Sequence, residues 1–214
     1  MNCGYPATDA SCSKGFDALK REAGLKPEEI LAAPKPMLAR LMRSGGIVPE
    51  LRAERLQEIA RREKDEFGGN LRAVLKKCLQ DEKKQAGKGM HAAKKLLQEF
   101  PVIGEPSAEK ILLFSKLAPV AAIPSARVEV PIRLWFGEPD KNYAADDHKA
   151  RNFLSAGLPE HVATRQRASL LLKKHGQEIC KRSKPKCELC PLTAPCIYFQ
   201  AKAADSYTER DDRD

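Results

Sequence analysis

Long apolar runs and strand signals are both scarce in this chain of 214 residues. No apolar run approaches the roughly 20 residues that a bilayer-spanning helix needs, so we expect no transmembrane segment. The first residues, MNCGYPATDASCSK, lack the basic region and the apolar stretch of a signal peptide. We therefore expect a cytoplasmic protein, in which thiols stay reduced and disulfides are rare.

Helical periodicity dominates what is present. It occurs in the segments PKPMLARLMRSGGI, PELRAERLQEIARREKDEF, NLRAVLKKCLQDE, MHAAKKLLQEF, SAEKILLFSKL and PEHVATRQRASLLLKKHGQEIC. Only PVAAI and ARVEVPIRLWF have β-like composition, and the second also fits a helix. The predicted fold class is therefore all-α with short loops, and we find no internal repeat.

The charge of the chain is strongly positive. Its formal net charge is +9 and its pI is about 9.2. A basic surface favours a polyanionic partner, with nucleic acid first and an anionic membrane second. Runs of both signs, such as ERLQEIARREKDE, are predicted to be solvated helix faces rather than binding sites.

The cysteines are concentrated near the carboxyl end, in the stretch CKRSKPKCELCPLTAPC with its C-x6-C-x2-C-x5-C spacing. Thiolates bind soft metals, so we expect zinc or an iron–sulfur cluster, with unligated thiols as the third alternative. Structural zinc sites usually combine two separate C-x2-C pairs, whereas this compact loop has one pair and suits a cube-shaped cluster better. Cys78 is predicted to be a buried small hydrophobe, and Cys3 and Cys12 receive no role.

This spacing, after a helix that ends in HGQEIC and with the sequence CELCPL inside it, resembles the C-terminal loop of the endonuclease III family of DNA glycosylases. The resemblance implies a structural 4Fe–4S cluster held by Cys180, Cys187, Cys190 and Cys196. It also implies phosphate contacts with double-stranded DNA by Lys181, Arg182, Lys184 and Lys186. The alternative is that these cations only balance the cluster charge and solubilise the loop.

A second resemblance to the same family lies in residues 96–114, LLQEFPVIGEPSAEKILLF. This stretch is similar to the family's helix-hairpin-helix pattern, L-P-G-V-G-x-K-T-A. Such a hairpin directs backbone N–H groups at a phosphate. The resemblance implies DNA contacts by Ile103, Gly104 and Ser107, although Val102 replaces the first glycine of the pattern. The alternative is a plain helix–turn–helix.

The family's catalytic residues are missing where the match places them. The lysine that serves bifunctional members as an amine nucleophile falls on Pro106. The aspartate that stabilises the cationic sugar falls on Pro124, and the glutamine that fills the gap left by a flipped base falls on Pro6. The catalytic residues are therefore unknown at the level of sequence.

Three other side chains could stand in for them. Lys110 lies one helical turn after Pro106 but is more simply a solvated helix lysine. Glu105 and Glu129 are the carboxylates nearest to the two empty positions. Surface, capping or helix-start roles are predicted for His148, His161, His175, Asp146 and Asp147.

The resemblance covers residues 5–199 and implies a bilobal, all-α helix-hairpin-helix DNA glycosylase fold, with DNA lying across the cleft between the lobes. The predicted parts are a helical barrel lobe at 14–118, an iron–sulfur cluster lobe formed by 1–13 and 119–199, and a disordered tail at 200–214. The match also implies that the family's first helix and part of the next are absent, through truncation or a misassigned start.

The resulting functional prediction is a monomeric protein of the base-excision-repair type that binds damaged or distorted duplex DNA, with its glycosylase and AP lyase chemistry lost or altered. In a bacterium it would be nucleoid-associated. One alternative is an active DNA glycosylase with non-standard catalytic residues. Another is a structural or redox iron–sulfur protein that binds no DNA.

Overall fold

The structure is a computed structural model that describes residues 7–80, 87–124 and 127–211, the last seven of these by backbone alone. Regular structure in these ranges is helical, without a strand, which confirms the all-α prediction. The chain divides into two compact units, one ending at Ile103 and the other starting at Gly104. The predicted division into lobes at residue 118 stays a prediction.

The first unit contains the helices α1 (Asp9–Glu22), α2 (Pro27–Ala32), α3 (Lys35–Met42), α4 (Pro49–Phe67), α5 (Leu71–Gln80) and α6 (Lys88–Gln98). Its core lies where α2 and α3 pack against α4 and where α1 packs against α3. Leu38 and Met42 of α3 are fully buried there. This burial of one apolar stripe stabilises a helix of eight residues that would be marginal alone.

Prolines and glycines set the helix boundaries in this unit. Pro49 occupies the first turn of α4, where its missing N–H costs nothing. Gly68 ends α4 in the left-handed conformation, with its amide bonded to Glu63 O. The predicted segment PELRAERLQEIARREKDEF is therefore one helix from end to end. Helix α1, which begins after the Thr8 cap, is not among the predicted helical segments.

The second unit contains the helices α7 (Glu105–Phe114), α8 (Glu129–Trp135), α9 (Tyr143–Gly157), α10 (Val162–Glu178) and α11 (Ile197–Asp211). The short helix α8 packs against α9, α10 and α11 and is buried over most of its length. Within the segment ARVEVPIRLWF, which fits either a strand or a helix, Glu129–Trp135 are thus helical. The tertiary contacts on three sides of α8 decide this.

The other β-like segment, PVAAI, contains no strand and is covered by the rest of its unit. The guanidinium of buried Arg165 donates to Pro119 O at the start of this segment. It also donates to Ser155 O and Leu158 O, both at 3.0 Å. A single buried arginine therefore satisfies the Pro119 carbonyl of this segment together with two carbonyls at the end of α9.

The carboxyl end differs from the prediction of disorder after residue 199. Helix α11 continues to Asp211, and the described side chains end at Ala204. The alanines at 201, 203 and 204 favour this conformation because alanine has the highest helix propensity. Within the described ranges, none of the helices combines the length and apolar character that crossing a membrane requires.

Close packing of α10 on α8 gives a test of the second unit. A Cβ at Gly176 would lie 2.4 Å from Arg127 Cδ and 2.9 Å from Val130 Cγ2. We expect Gly176→Ala to lower the free energy of unfolding in urea by about 1–3 kcal/mol, because overpacking outweighs the better helix propensity of alanine. The control is Gly157→Ala, whose new methyl group has no neighbour within 4 Å. Equal stability of the two variants would contradict close packing at Gly176.

Candidate metal centre and nucleic-acid interface

The cysteine loop starts where α10 ends and closes on itself through the backbone. Ile179 O accepts hydrogen bonds from the amides of Lys181 at 2.8 Å and Lys186 at 2.9 Å. These two bonds draw the first gap of the C-x6-C spacing into a tight loop. Its backbone is therefore defined by local hydrogen bonds before any metal contributes.

The second half of the loop is built from short turns. The amide of Cys190 donates to Cys187 O at 3.0 Å, and that of Cys196 donates to Thr193 O at 3.2 Å. Gln200, in the first turn of α11, donates through Nε2 to Thr193 O and Ala194 O, both at 3.3 Å. The start of α11 thus holds the last turn of the loop.

The four cysteines predicted as ligands line one open cavity. All four are free thiols and are half-buried. Among the described histidine, cysteine, aspartate and glutamate side chains, no three come together as the ligands of a single metal ion would. The structure brings the predicted cysteines to a common cavity, and the identity of what they hold stays a prediction.

The surroundings of the sulfurs suit thiolates once a cation is present. Burial raises the pKa of Cys180 and Cys187, so these groups are neutral thiols until a metal binds. Two N–H donors nonetheless point at sulfur. Arg133 Nη1 lies 3.7 Å from Cys180 Sγ, and the amide of Leu192 lies 3.4 Å from Cys190 Sγ. Such donors stabilise metal-bound thiolates, so the donor set fits an iron–sulfur cluster.

The histidines divide into two kinds. His148 and His161 are exposed, which confirms the predicted surface roles. His148 bonds to Asn152 one turn along α9, and His161, which precedes α10, bonds to the side chain of Thr164. His175 departs from that prediction because it lines the cysteine cavity, with Nε2 at 3.6 Å from Cys190 Sγ. Burial lowers its pKa, which favours the neutral ring. Its position five residues before Cys180 was the only sequence signal.

Arg133 is the residue that sequence reasoning undervalued most. It extends from α8, and its guanidinium donates to Lys181 O and Arg182 O, both at 2.7 Å. It also stacks on the ring of Tyr198 at 4.9 Å from the centroid. A buried side chain distant in sequence therefore fixes the backbone that carries the basic residues of the loop.

The four basic side chains of the loop point away from this support. Those of Lys181, Arg182, Lys184 and Lys186 are all exposed. Within the part of the chain that the structure describes, none of them forms an ion pair with a carboxylate. They are available to an external anion.

The predicted hairpin contacts are unequal. The amide of Ile103 already donates to Phe100 O at 3.3 Å, and that of Ser107 donates to Gly104 O at 3.0 Å. The amide of Gly104, which caps α7, has no acceptor among the described residues. Of the three predicted amides, only that of Gly104 remains open to a ligand.

Neither the backbone conformation nor the packing within the second unit requires a glycine at position 104. Its φ of −86° is ordinary, and an added Cβ would meet only Pro106 Cδ, at 3.9 Å. At position 102 the backbone favours glycine, with a φ of 59°, but the residue is a valine that is 53% exposed. Valine in this conformation costs about 1–2 kcal/mol. The turn therefore keeps the backbone geometry of a glycine at position 102.

The positions matched to catalytic residues carry no reactive group. Pro106 lies in the first turn of α7, and Pro124 is buried in the coil before α8. Pro6 and Cys3 lie outside the described residues. A proline ring offers neither a nucleophile nor a charge.

Of the three possible substitutes, Glu129 is buried and Lys110 is half-buried. The side chain of Glu129 is 5% exposed, and its Oε1 has no hydrogen-bond partner among the described residues. Lys110 is half-buried rather than solvated, and burial lowers its pKa. Glu105 is exposed and pairs with Arg151 at 3.4 Å.

The acidic pair at the start of α9 has a structural role, as predicted. Asp146 accepts a hydrogen bond from the amide of Asp140 at 2.9 Å. Asp147 pairs with Arg151 one turn later, and Arg151 also binds Glu109 at 3.0 Å. Both aspartates are thus committed to holding α9 rather than to a metal.

In fold, the chain is similar to several solved DNA glycosylases. No family model matches the chain, and no curated protein does. A solved endonuclease III–DNA covalent intermediate aligns with a TM-score of 0.69 and 19% identity, over 94% of this chain and 82% of that one. A thermostable thymine-DNA glycosylase gives 0.69 and 22% over 94% and 81%. The 3-methyladenine DNA glycosylase of H. pylori gives 0.58 and 14% over 83% and 81%.

The chain has the helix-hairpin-helix DNA glycosylase fold. The predicted fold is confirmed by these alignments and by the helical structure. At identities of 14–22% the likeness concerns the fold, so the activity of this chain has to be argued from its own residues.

The support that Arg133 gives to the loop can be measured. In Arg133→Met the carbonyls of Lys181 and Arg182 lose their donor, and charge-assisted bonds of this kind contribute about 1.5–3 kcal/mol each. We expect hydrogen exchange at the amides of Lys181 and Lys186 to accelerate about 100-fold, which corresponds to roughly 3 kcal/mol.

The matched control is Lys202→Met, which removes a cation from the same ring, since Lys202 Nζ lies 4.8 Å from the Tyr198 centroid. That variant should leave exchange in the loop unchanged. Similar exchange in the two variants would contradict the role given to Arg133.

Proposed function

We propose that the chain binds damaged or distorted duplex DNA as a protein of the base-excision-repair type, with its glycosylase and AP lyase chemistry lost or altered. The observation that carries this proposal is the cysteine loop, with four exposed basic side chains unpaired within the described chain on a backbone anchored by Arg133. We further propose that the chain acts as a monomer in the compartment that holds the genome.

The basic loop suits a phosphate backbone because it carries four exposed cations and because Arg133 anchors the peptide backbone of the loop. Lys181 and Arg182 sit on the two peptide carbonyls that Arg133 binds, so their Cα positions are fixed before DNA arrives. Binding then orders only the ends of the side chains, which lowers the entropic cost of the contact. Contacts of this type are independent of base sequence.

The hairpin would contribute a backbone contact. The amide of Gly104 is unpartnered within the described chain and lies at the amino end of a helix of ten residues, where the helix dipole favours a negative group. Because Gly104 has no side chain, a phosphate can approach this amide closely. Pro106, in the first turn of the same helix, removes a second N–H, so we expect a weaker phosphate contact than a hairpin with lysine there would make.

The cysteines would hold a 4Fe–4S cluster through Cys180, Cys187, Cys190 and Cys196, which share one cavity. When bound, the cluster would supply a structural link between four points of the loop. The chain's own residues support it through Arg133 and the amide of Leu192, which donate to two of the sulfurs. Zinc and unligated thiols are the alternatives that the experiment must separate.

Loss of the lyase chemistry follows from the residues at two positions. Formation of a Schiff base needs an amine near the sugar carbon, and Pro106 offers none. Stabilisation of the cationic sugar needs a nearby carboxylate, and Pro124 is buried and uncharged. Recognition without bond cleavage is the function that these residues support best.

A second candidate function, an active glycosylase with non-standard residues, is favoured by Glu129. A carboxylate that is 95% buried with one oxygen unpartnered in the described chain is unusual for a residue that serves packing alone. Lys110, whose pKa is lowered by burial, is a further amine in the same unit. The test below therefore includes both chemical outcomes.

The first test concerns the cluster. Protein purified without oxygen should contain about four irons and about four sulfides per chain and absorb broadly near 400 nm, as iron–thiolate clusters do. Cys190→Ser should lose this absorption, whereas Cys78→Ser, in α5, should keep it. Stoichiometric zinc, or a colourless protein without metal, would contradict the assignment.

The second test concerns DNA. Protein is incubated with duplexes carrying an abasic site or an oxidised pyrimidine, with and without borohydride. We expect binding that weakens with salt, no released base and no trapped adduct. Base release would instead support the second candidate, and Glu129→Gln should then abolish it. An adduct lost in Lys110→Gln would identify that amine. Failure to bind duplex at low salt would overturn the proposal and leave a structural or redox protein.

A further inference from the structure

The helices α5 and α6 carry charge of one sign. They contain no aspartate or glutamate, and their basic residues are Arg72, Lys76, Lys77, Lys88, Lys94 and Lys95. These six charges compare with a formal net charge of +9 for the entire chain. The helix pair thus holds a large share of the excess positive charge. None of these six residues belongs to the hairpin turn or to the cysteine loop.

The charges lie on the outer side of the pair. The two helices pack against each other and bury Leu75 of α5 and Ala93 and Leu97 of α6. The side chains of Arg72, Lys76, Lys77, Lys88 and Lys95 are exposed, and we call them the α5/α6 basic face. Within the described chain, no carboxylate pairs with Lys76, Lys77, Lys88 or Lys95.

This arrangement is unfavourable for the protein by itself. Lys76 and Lys77 are consecutive like charges on α5, and the helix contains no acidic residue that could offset them. Lys88 lies in the first turn of α6, at the positive end of the helix dipole. The neighbouring helix α4 avoids both costs, because its acidic and basic residues alternate and Arg62 pairs with Glu66. A surface that contacts only water needs no more than the alternating charges seen on α4.

We infer that the α5/α6 basic face binds the phosphate backbone of the same DNA duplex that the hairpin turn contacts, and so extends the bound length of DNA. This inference rests on the proposed function. A bound phosphate backbone would relieve the repulsion among these cations, and the release of its counterions would drive binding.

Continuity along α6 favours this partner. The helix ends at Gln98, and the residues up to Ile103 form the first half of the hairpin turn in the same compact unit. Lys88 and Lys95 are seven residues apart, so their Cα atoms are about 10 Å apart along the axis. Three base pairs of duplex span about the same length. The basic face therefore starts close to the turn and continues away from it.

An anionic membrane fits the face less well. A helix that binds at a membrane surface inserts large apolar side chains between lipids. The exposed uncharged residues of the pair are small or polar, as in Ala73, Gln80 and Ala92, and no large hydrophobic residue of α5 or α6 is exposed. The face offers charge without an apolar anchor, which is the chemistry of phosphate-backbone binding.

The test compares two double variants that remove the same charge. Lys77→Gln with Lys95→Gln neutralises one exposed lysine on each helix of the face. Arg61→Gln with Lys64→Gln neutralises two exposed cations of the mixed helix α4. Dissociation constants are measured over a range of salt for a long, undamaged duplex of about 24 base pairs, which exceeds the roughly three base pairs that the face spans. Thermal unfolding of each variant checks that it is folded.

We expect the first variant to bind the long duplex about tenfold or more weakly at about 0.1 M salt, with the slope of log K against log salt reduced by about 2. The α4 variant should show a much smaller change. Unchanged binding of the long duplex, or a loss equal to that of the α4 variant, would overturn the inference while leaving the proposed function intact. Binding to phosphatidylglycerol vesicles is measured in parallel, and a loss of vesicle binding without a loss of duplex binding would also overturn the inference. Absence of duplex binding by the wild-type protein would overturn the proposed function itself.

Discussion

The hydrogen bonds from Arg133 to the carbonyls of Lys181 and Arg182 are the contacts on which the cysteine loop most depends. They join the buried helix α8 to a segment that follows it by almost 50 residues. The same guanidinium approaches Cys180 Sγ and stacks on Tyr198. One side chain therefore links the core of the second unit, the proposed cluster and the basic residues proposed to meet DNA.

Buried arginines recur as the means of satisfying irregular backbone in this protein. Arg52 donates to Met42 O at 2.6 Å and to Gly46 O at 2.9 Å in the first unit, and Arg165 serves four carbonyls in the second. Coil between helices exposes carbonyl groups that would cost free energy if buried without donors. The planar guanidinium, with five N–H groups, can serve several of them at once. Some of the positive charge of the chain therefore serves architecture, and only the exposed remainder is available to a partner.

The residues proposed to bind DNA differ in kind from those at the positions matched to catalytic groups. The features proposed to contact DNA retain a defined geometry: the loop is anchored, Gly104 leaves an open amide, and Val102 accepts a strained conformation that preserves the turn. The positions matched to reacting groups hold proline instead. Strain at a turn persists only where the surrounding structure enforces it. Its presence at Val102 is what a surface used for binding would require, whether or not a bond is broken nearby.

The sequence by itself determined the helical class, the full extent of α4 and the four cysteines of one compact loop, because periodicity, proline and glycine boundaries and thiol spacing are local signals. Only the tertiary structure decided that Glu129–Trp135 are helical, that Lys110 is half-buried and that His175 faces a cysteine. Each of these depends on which distant elements pack against the residue. The role of Arg133 belongs to the same class, since the carbonyls it serves become its neighbours only when α8 and the cysteine loop are brought together by folding.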